Sequence, residues 1–248
     1  MKILVCISHV PDTTSKINFT DNNAKFDSNG VQYVINPYDE FALTRAMWFK
    51  EKQGATVTVA TVGNATTEPT LRKALAIGAD DAIRVNTEAL DGFTVAKELA
   101  EVVKNGGYNL VLAGKESIDY NGGMVPAMLA SFLDYNFVNA CIGLEIEGDK
   151  ATISREIDGG KEQLSSNLPL IIAGQKGLVE EKDLRIPNMR GIMMARQKPL
   201  IIVESSNGAA TTAIVSFEKQ AAKSACKLVD ADNVEELINL LHNEAKVI

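Results

Sequence analysis

Three short apolar runs mark the first half of this chain, Ile3 to Ser8, Thr56 to Val62 and Leu110 to Ala113, each bounded by turn-forming glycine or proline. Such runs are expected to be buried strands. Between them, Tyr38 to Gln53, Glu68 to Ile77, Gly92 to Lys104 and Met124 to Leu133 carry apolar residues at helical spacing. Strands that alternate with helices need right-handed crossovers and a parallel sheet covered on both faces. The expected fold is therefore doubly wound α/β with a mainly parallel, Rossmann-like sheet.

The pattern changes twice along the chain. Asn18 to Tyr33, with turn signals at Asp21-Asn22-Asn23 and Ser28-Asn29-Gly30, predicts an exposed hairpin inside the first crossover. Beyond Leu133, Cys141 to Glu147, Lys150 to Glu156 and Lys161 to Ser166 read as antiparallel strands joined at Gly148 and Asp158-Gly159, a meander that extends the same sheet. Residues 1–203 thus form one α/β domain. Residues 204–248 form a C-terminal linker and helical arm: Ser205 to Thr212 is small and polar, Ser216 to Ala225 has little periodicity, and Val234, Leu237, Ile238, Leu240 and Leu241 recur at helical spacing behind Asp232 or Asn233 as cap. A lone amphipathic helix must pack on something, either its own domain or a partner.

Composition narrows the class. At 248 residues with 46% hydrophobic content the chain can bury a substantial core, and a formal net charge of -7 argues against nucleic acid as a partner. No apolar run approaches the roughly 20 residues of a membrane span, and the amino end runs straight into a strand without a cleavable signal pattern. The expected location is the cytoplasm, or an organelle matrix, with no membrane insertion. Cys6, Cys141 and Cys226 are widely spaced and have only His9 and His242 for company, so incidental thiols are expected rather than a metal site.

Candidate chemistry falls in the loops at the carboxyl ends of the parallel strands, where ligands bind in open α/β sheets. These loops hold Cys6 to Asp12, then Asn36-Pro37-Tyr38-Asp39, then Gly114 to Gly123 ahead of the helix at Met124 and Val125. Exposed amides and a helix dipole at that last point favour a phosphate. Nothing in the sequence supplies an activated nucleophile or a proton-transfer pair, so no catalytic residue is assigned.

Several spaced motifs resemble the electron transfer flavoprotein beta subunit. They are Arg155-Glu156-Ile157-Asp158-Gly159-Gly160, Leu168-Pro169, Arg185, the Ala195 to Pro199 segment, Asn36-Pro37-Tyr38, Ala76 to Asp80, and Gly114-Lys115-Glu116-Ser117-Ile118-Asp119. The resemblance covers roughly residues 1–200. It implies an electron carrier subunit rather than an enzyme, working in a heterodimer with an alpha subunit that holds most of the FAD, and taking electrons from acyl-CoA or related dehydrogenases. It also implies that this chain holds AMP, or in bifurcating members a second FAD. The implied nucleotide contacts are Cys6, Asn36, Pro37, Tyr38, Asp39, Val62, Gly114, Lys115, Ser117, Ile118, Asp119, Asn121, Gly122, Gly123, Met124 and Val125, with Thr13 approaching the flavin ring.

The same resemblance assigns partner contacts. Glu156 would help orient the flavin-carrying domain, and the segment near 180–196 would form a recognition loop with Met189 at its tip and Arg185 and Ile192 beside it. Read in isolation, that segment is a helix burying Ile192 and Met193. The chain departs from the family where many members continue Gly-Asp-Thr-Ala-Gln-Val-Gly-Pro, since it has Tyr120-Asn121-Gly122-Gly123-Met124-Val125-Pro126-Ala127. The second Asp, the Thr hydroxyl and the Gln amide are missing, which leaves backbone N–H groups to meet a phosphate. The alternative reading is a standalone AMP- or ATP-binding regulatory protein without redox activity, with a nucleotide-dependent ligase behind it.

Overall fold

The computed structural model describes all residues except 207 and 224. Position 207 of the expected linker and position 224 of the aperiodic stretch therefore lie outside the described residues. The strands are β1 (Lys2–Cys6), β2 (His9–Pro11), β3 (Phe19–Thr20), β4 (Lys25–Phe26), β5 (Tyr33–Ile35), β6 (Thr56–Val62), β7 (Asp81–Asn86), β8 (Leu110–Gly114), β9 (Asn136–Glu147), β10 (Lys150–Ile157), β11 (Gly160–Asn167), β12 (Leu170–Gly174) and β13 (Leu200–Glu204). The helices are α1 (Pro37–Gln53), α2 (Glu68–Ile77), α3 (Gly92–Gly106), α4 (Val125–Leu133), α5 (Met189–Ala195) and α6 (Val234–Asn239).

Nine strands make one sheet in the order β11-β10-β9-β12-β8-β1-β6-β7-β13. From β9 to β13 every neighbouring pair is parallel, and β10 and β11 add the antiparallel meander at one edge. Helices α1 and α2 cover one face through Leu43, Met47, Leu71 and Leu75, and α3 and α4 cover the other through Leu99, Val103 and Leu129. The expected doubly wound α/β fold is what the chain adopts. Central strands read as continuous apolar runs because both faces are buried, and Ile3, Leu4 and Val5 have no exposed surface.

Three of the parallel strands lack the clean apolar signature. β7 carries Arg84, buried against Gly63 and Glu68, while β12 and β13 are short runs after prolines. The predicted hairpin inside the first crossover appears as β3 and β4, beside a second ribbon of β2 and β5.

The arm is fastened to the domain along its first stretch. Glu98 of α3 accepts from the hydroxyls of Ser205 (2.7 Å) and Ser206 (2.8 Å). Asp91 accepts from the amides of Thr211 (2.6 Å) and Thr212 (3.0 Å). Further on, Phe217 stacks on Phe19 with ring centroids 4.7 Å apart, and Lys219 donates to Asn18. Helix α6 follows with Asn233 as its cap, and its apolar residues Val234, Leu237 and Ile238 are exposed.

Candidate functional site

The order of crossovers reverses at β1. From β1 the chain moves through α1 to β6 and then through α2 to β7, and α3 returns it to β8 on the other side of β1. The loops leaving β1 and β8 diverge there, which opens a crevice at the carboxyl ends of the strands. Cys6 ends β1 and Gly114 ends β8 at this point.

Asp39, in the first turn of α1, ties the two sides together. Its carboxylate accepts from the Ser8 amide (2.7 Å) and from the Gly114 amide (2.8 Å). Burial pushes this carboxyl up to about 6, against the pull of the Ser8, Gly114 and Asn36 hydrogen bonds. The same burial, with the Asp39 charge, pushes the Cys6 thiol far above its ordinary range, so Cys6 is an inert lining residue. Gly114 has no room for a side chain, because a Cβ there would lie 2.6 Å from Asp39 Oδ1 and 3.0 Å from the Tyr38 carbonyl carbon.

Asn36 stands where a helix cap would stand, yet its side chain makes no capping bond to α1. Instead its Nδ2 donates to the Glu116 carbonyl (2.9 Å) and its Oδ1 accepts from the Ile118 amide (3.3 Å). One buried amide thus sets the loop after β8, and Pro37 at the first helical position fixes its direction. Tyr38 lies beneath Lys115, whose ammonium sits 5.5 Å from the ring centroid. The loop closes on itself between Ser117 and Gly122, with the Ser117 hydroxyl donating to Asp119 (2.6 Å) and Asn121 in a left-handed conformation (φ 50). It then delivers Gly122, Gly123 and Met124 to the start of α4, which has no side-chain cap.

Cys6, Asn36, Pro37, Tyr38, Asp39, Gly114, Lys115, Ser117, Ile118, Asp119, Asn121, Gly122, Gly123, Met124 and Val125 therefore gather at one end of the sheet. Val62 ends β6, next to β1, with the Ile7 amide donating to Ala60 nearby. Thr13 stands apart and exposed, just after the β2–β5 ribbon. Ser8 and Gly174 were not foreseen as parts of the crevice. Ser8 donates its amide to Asp39, and the Gly174 carbonyl accepts from the Lys115 amide (2.8 Å); both act through backbone atoms that leave no mark in a sequence.

The partner residues do not converge on the crevice or on one another. Glu156 lies on β10, held by the buried Gln175 that follows β12. Arg185 pairs with Glu51 at 2.6 Å and donates its amide to Thr44 of α1. Met189 and Ile192 lie on α5, which packs on α2. The expected burial of Ile192 and Met193 is not found: both are exposed, and Gly191 and Ala195 form the inner face because only small residues fit against the end of α2. A cavity of about 350 Å³ between α3, β7 and β13 is lined by Val85, Val102 and Val203 and shares no residue with the crevice.

A doubly wound sheet with an open crevice at its switch point, and an uncapped helix beside a lysine, defines a nucleotide-binding type of α/β protein. The sequence profile of the electron transfer flavoprotein domain matches residues 24–207. An electron transfer flavoprotein subunit beta of Bacillus subtilis is 35% identical over the whole of both chains. That of Syntrophomonas wolfei is 35% identical over all of this chain and 98% of its own, and the human one 33% over 82% of this chain and 81% of its own. The chain belongs to the electron transfer flavoprotein family, and its relatives are beta subunits. No helix among the described residues is long and apolar enough to cross a membrane.

Proposed function

We propose that this chain is the beta subunit of a heterodimeric electron transfer flavoprotein, placed in the cytoplasm or an organelle matrix. It supports FAD held mainly by an alpha subunit and holds AMP, or a second FAD, in its own crevice. The observation that carries this reading is full-length similarity to proteins named electron transfer flavoprotein subunit beta.

The crevice residues fit a nucleotide phosphate. The first-turn amides of an α-helix have no intrahelical partner, α4 has no side-chain cap, and Lys115 adds a positive charge next to Tyr38. Gly122 and Gly123 keep side chains out of the approach. These features stand in for the Asp, Thr and Gln that other members use. Asn36 and Asp39 contribute by fixing the loop and the strand ends rather than by touching the ligand. A flavin, when bound to the heterodimer, supplies the one- and two-electron chemistry.

Two exposed regions suit partners. Thr13 and Glu156 face outward for the flavin-carrying subunit, and the arm at 204–248 offers its apolar helix to that subunit. Residues 180–196 form the docking loop for an acyl-CoA or related dehydrogenase, with Met189 and Ile192 as its apolar contacts and Arg185 at its base.

The test is to coexpress this chain with its alpha-like subunit, denature the complex and quantify released nucleotides by chromatography. One FAD with one AMP per heterodimer is expected of a simple carrier, and two FAD of a bifurcating one. A colourless chain that stays alone would overturn the reading.

A further inference from the structure

Helix α5 is unusual in being both exposed and firmly held. Asn188 caps it through the Gly191 amide (2.7 Å). Arg72 of α2 donates to the carbonyls of Ala195 and Lys198, each at 2.7 Å, and Lys198 in turn caps the end of α2 by donating to the Leu75 carbonyl (3.0 Å). Gly191 and Ala195, one turn apart, form the inner face. A Cβ on Gly191 would lie 2.3 Å from the Ala76 carbonyl oxygen, so the helix sits directly on α2.

The outer face of this rigid helix is made of thioethers. Met189, Met193 and Met194 are 76%, 68% and 52% exposed, and together they are three of the seven methionines in the chain. Met47, on α1, is 3% exposed by contrast. Met189 and Met193 are four residues apart and lie on the same side of the helix, joined by the exposed Ile186 and Ile192. Such a surface offers apolar, polarizable contacts to a partner, and it presents sulfur to any two-electron oxidant in solution.

We propose that Met189, Met193 and Met194 form a reversible oxidation site, at which hydrogen peroxide turns the apolar face of α5 polar and shuts down docking. The idea rests on the docking role given to this loop above. In the reaction one peroxide oxygen passes to a methionine sulfur. The O–O bond breaks as the S–O bond forms, the sulfur loses two electrons, and the other oxygen leaves as water. The product sulfoxide is polar and chiral, and reductases specific for each epimer restore the thioether. Because the helix is anchored through Gly191, Ala195 and Asn188 and not through its methionines, oxidation changes the surface without unfolding the element.

The experiment uses the flavin-loaded heterodimer, treated with graded hydrogen peroxide. Peptide mass spectrometry locates the sulfoxides, and flavin reduction by an acyl-CoA dehydrogenase with its acyl-CoA reads docking. Sulfoxide is expected at Met189, Met193 and Met194 well before Met47. Burying a methionine contributes about 1.5–3 kcal/mol, so the donor-driven rate is expected to fall about tenfold or more. The flavin spectrum and reduction by dithionite should stay unchanged.

Methionine sulfoxide reductases should restore the rate, and the Met189→Leu, Met193→Leu, Met194→Leu variant should keep its rate in peroxide. Sulfoxide at these positions with an undiminished rate overturns the proposal, as does loss of rate that the leucine variant shares. The docking reading fails separately if Met193→Lys leaves the donor-driven rate of untreated heterodimer unchanged. Retained flavin absorbance in each variant separates these outcomes from misfolding.

Discussion

Two helices begin at the carboxyl edge of this sheet, and their first turns are built in opposite ways. At α3, Asp91 accepts from the Thr94 amide (2.8 Å), and Thr94 Oγ1 accepts from the Asp91 amide (3.3 Å), a closed capping box. The arm adds Thr211 and Thr212 on the other carboxylate oxygen. The Thr94 amide, then the Thr211 bonds, hold the Asp91 carboxyl well below the usual carboxylate range. At α4 the start is Gly122-Gly123-Met124, with no side-chain cap. The protein satisfies one helix start with its own groups and leaves the other for an anion. Fold stability is therefore concentrated at the first and ligand affinity at the second.

The sharpest way to break this contrast is to close the open side sterically. Gly114→Ala places a Cβ against Asp39 and the Tyr38 backbone, neither of which can retreat, and is expected to cost about 3 kcal/mol. Thermal melting of the purified heterodimer should show the loss, and released AMP should fall with it.

Next comes Asp39→Asn, which leaves a single acceptor oxygen for the Ser8 and Gly114 amides and should cost about 2 kcal/mol. Its effect depends on pH. The folded carboxyl titrates at about 6, above the 3.8 of its unfolded form. A group with a raised folded value stabilises most below the unfolded value, and that contribution is lost as pH rises through the folded one. The stability gap between the parent and Asp39→Asn should therefore narrow between pH 4 and pH 7. A gap that widens over that range would contradict the burial assigned to Asp39.

Opening the closed side is expected to matter less for ligand and more for fold. Asp91→Ala removes the α3 cap and the Thr211 and Thr212 anchors, at about 1–2 kcal/mol, while released AMP per heterodimer stays the same. The smallest change in stability is expected from Met124→Asp, which sets a carboxylate at the start of α4. The helix dipole should reward it by about 0.5 kcal/mol, yet the added charge should drive out the phosphate. A variant that melts higher but retains AMP would remove α4 from the site.

Much of this architecture was legible in the chain. The pattern from Glu68 to Ile77 matches α2 at both ends, and the runs at Ile3, Thr56 and Leu110 mark three of the central strands. β7 escaped because buried Arg84 interrupts its apolar run, its charge answered by Glu68 and the Gly63 carbonyl from elsewhere in the chain. In the site, the loops were found from strand ends and glycines, but the work of Asn36 was not. Its position suggests a cap for α1, while its partners Glu116 and Ile118 lie about eighty residues away. Local sequence names the helix that follows an Asn-Pro step. It does not carry the distant carbonyl that competes for the amide.

The fastened root of the arm has a consequence for assembly. Ser205, Ser206, Thr211, Thr212, Phe217 and Lys219 already have partners on their own domain, so their conformational entropy is lost when this chain folds and not when it associates. Whatever surface receives α6 meets a tether shortened to the residues beyond Lys219. A shorter tether holds its end at a higher effective concentration near the body of the protein, so once the sheet-bearing domain has made contact, capture of the helix becomes an intramolecular step.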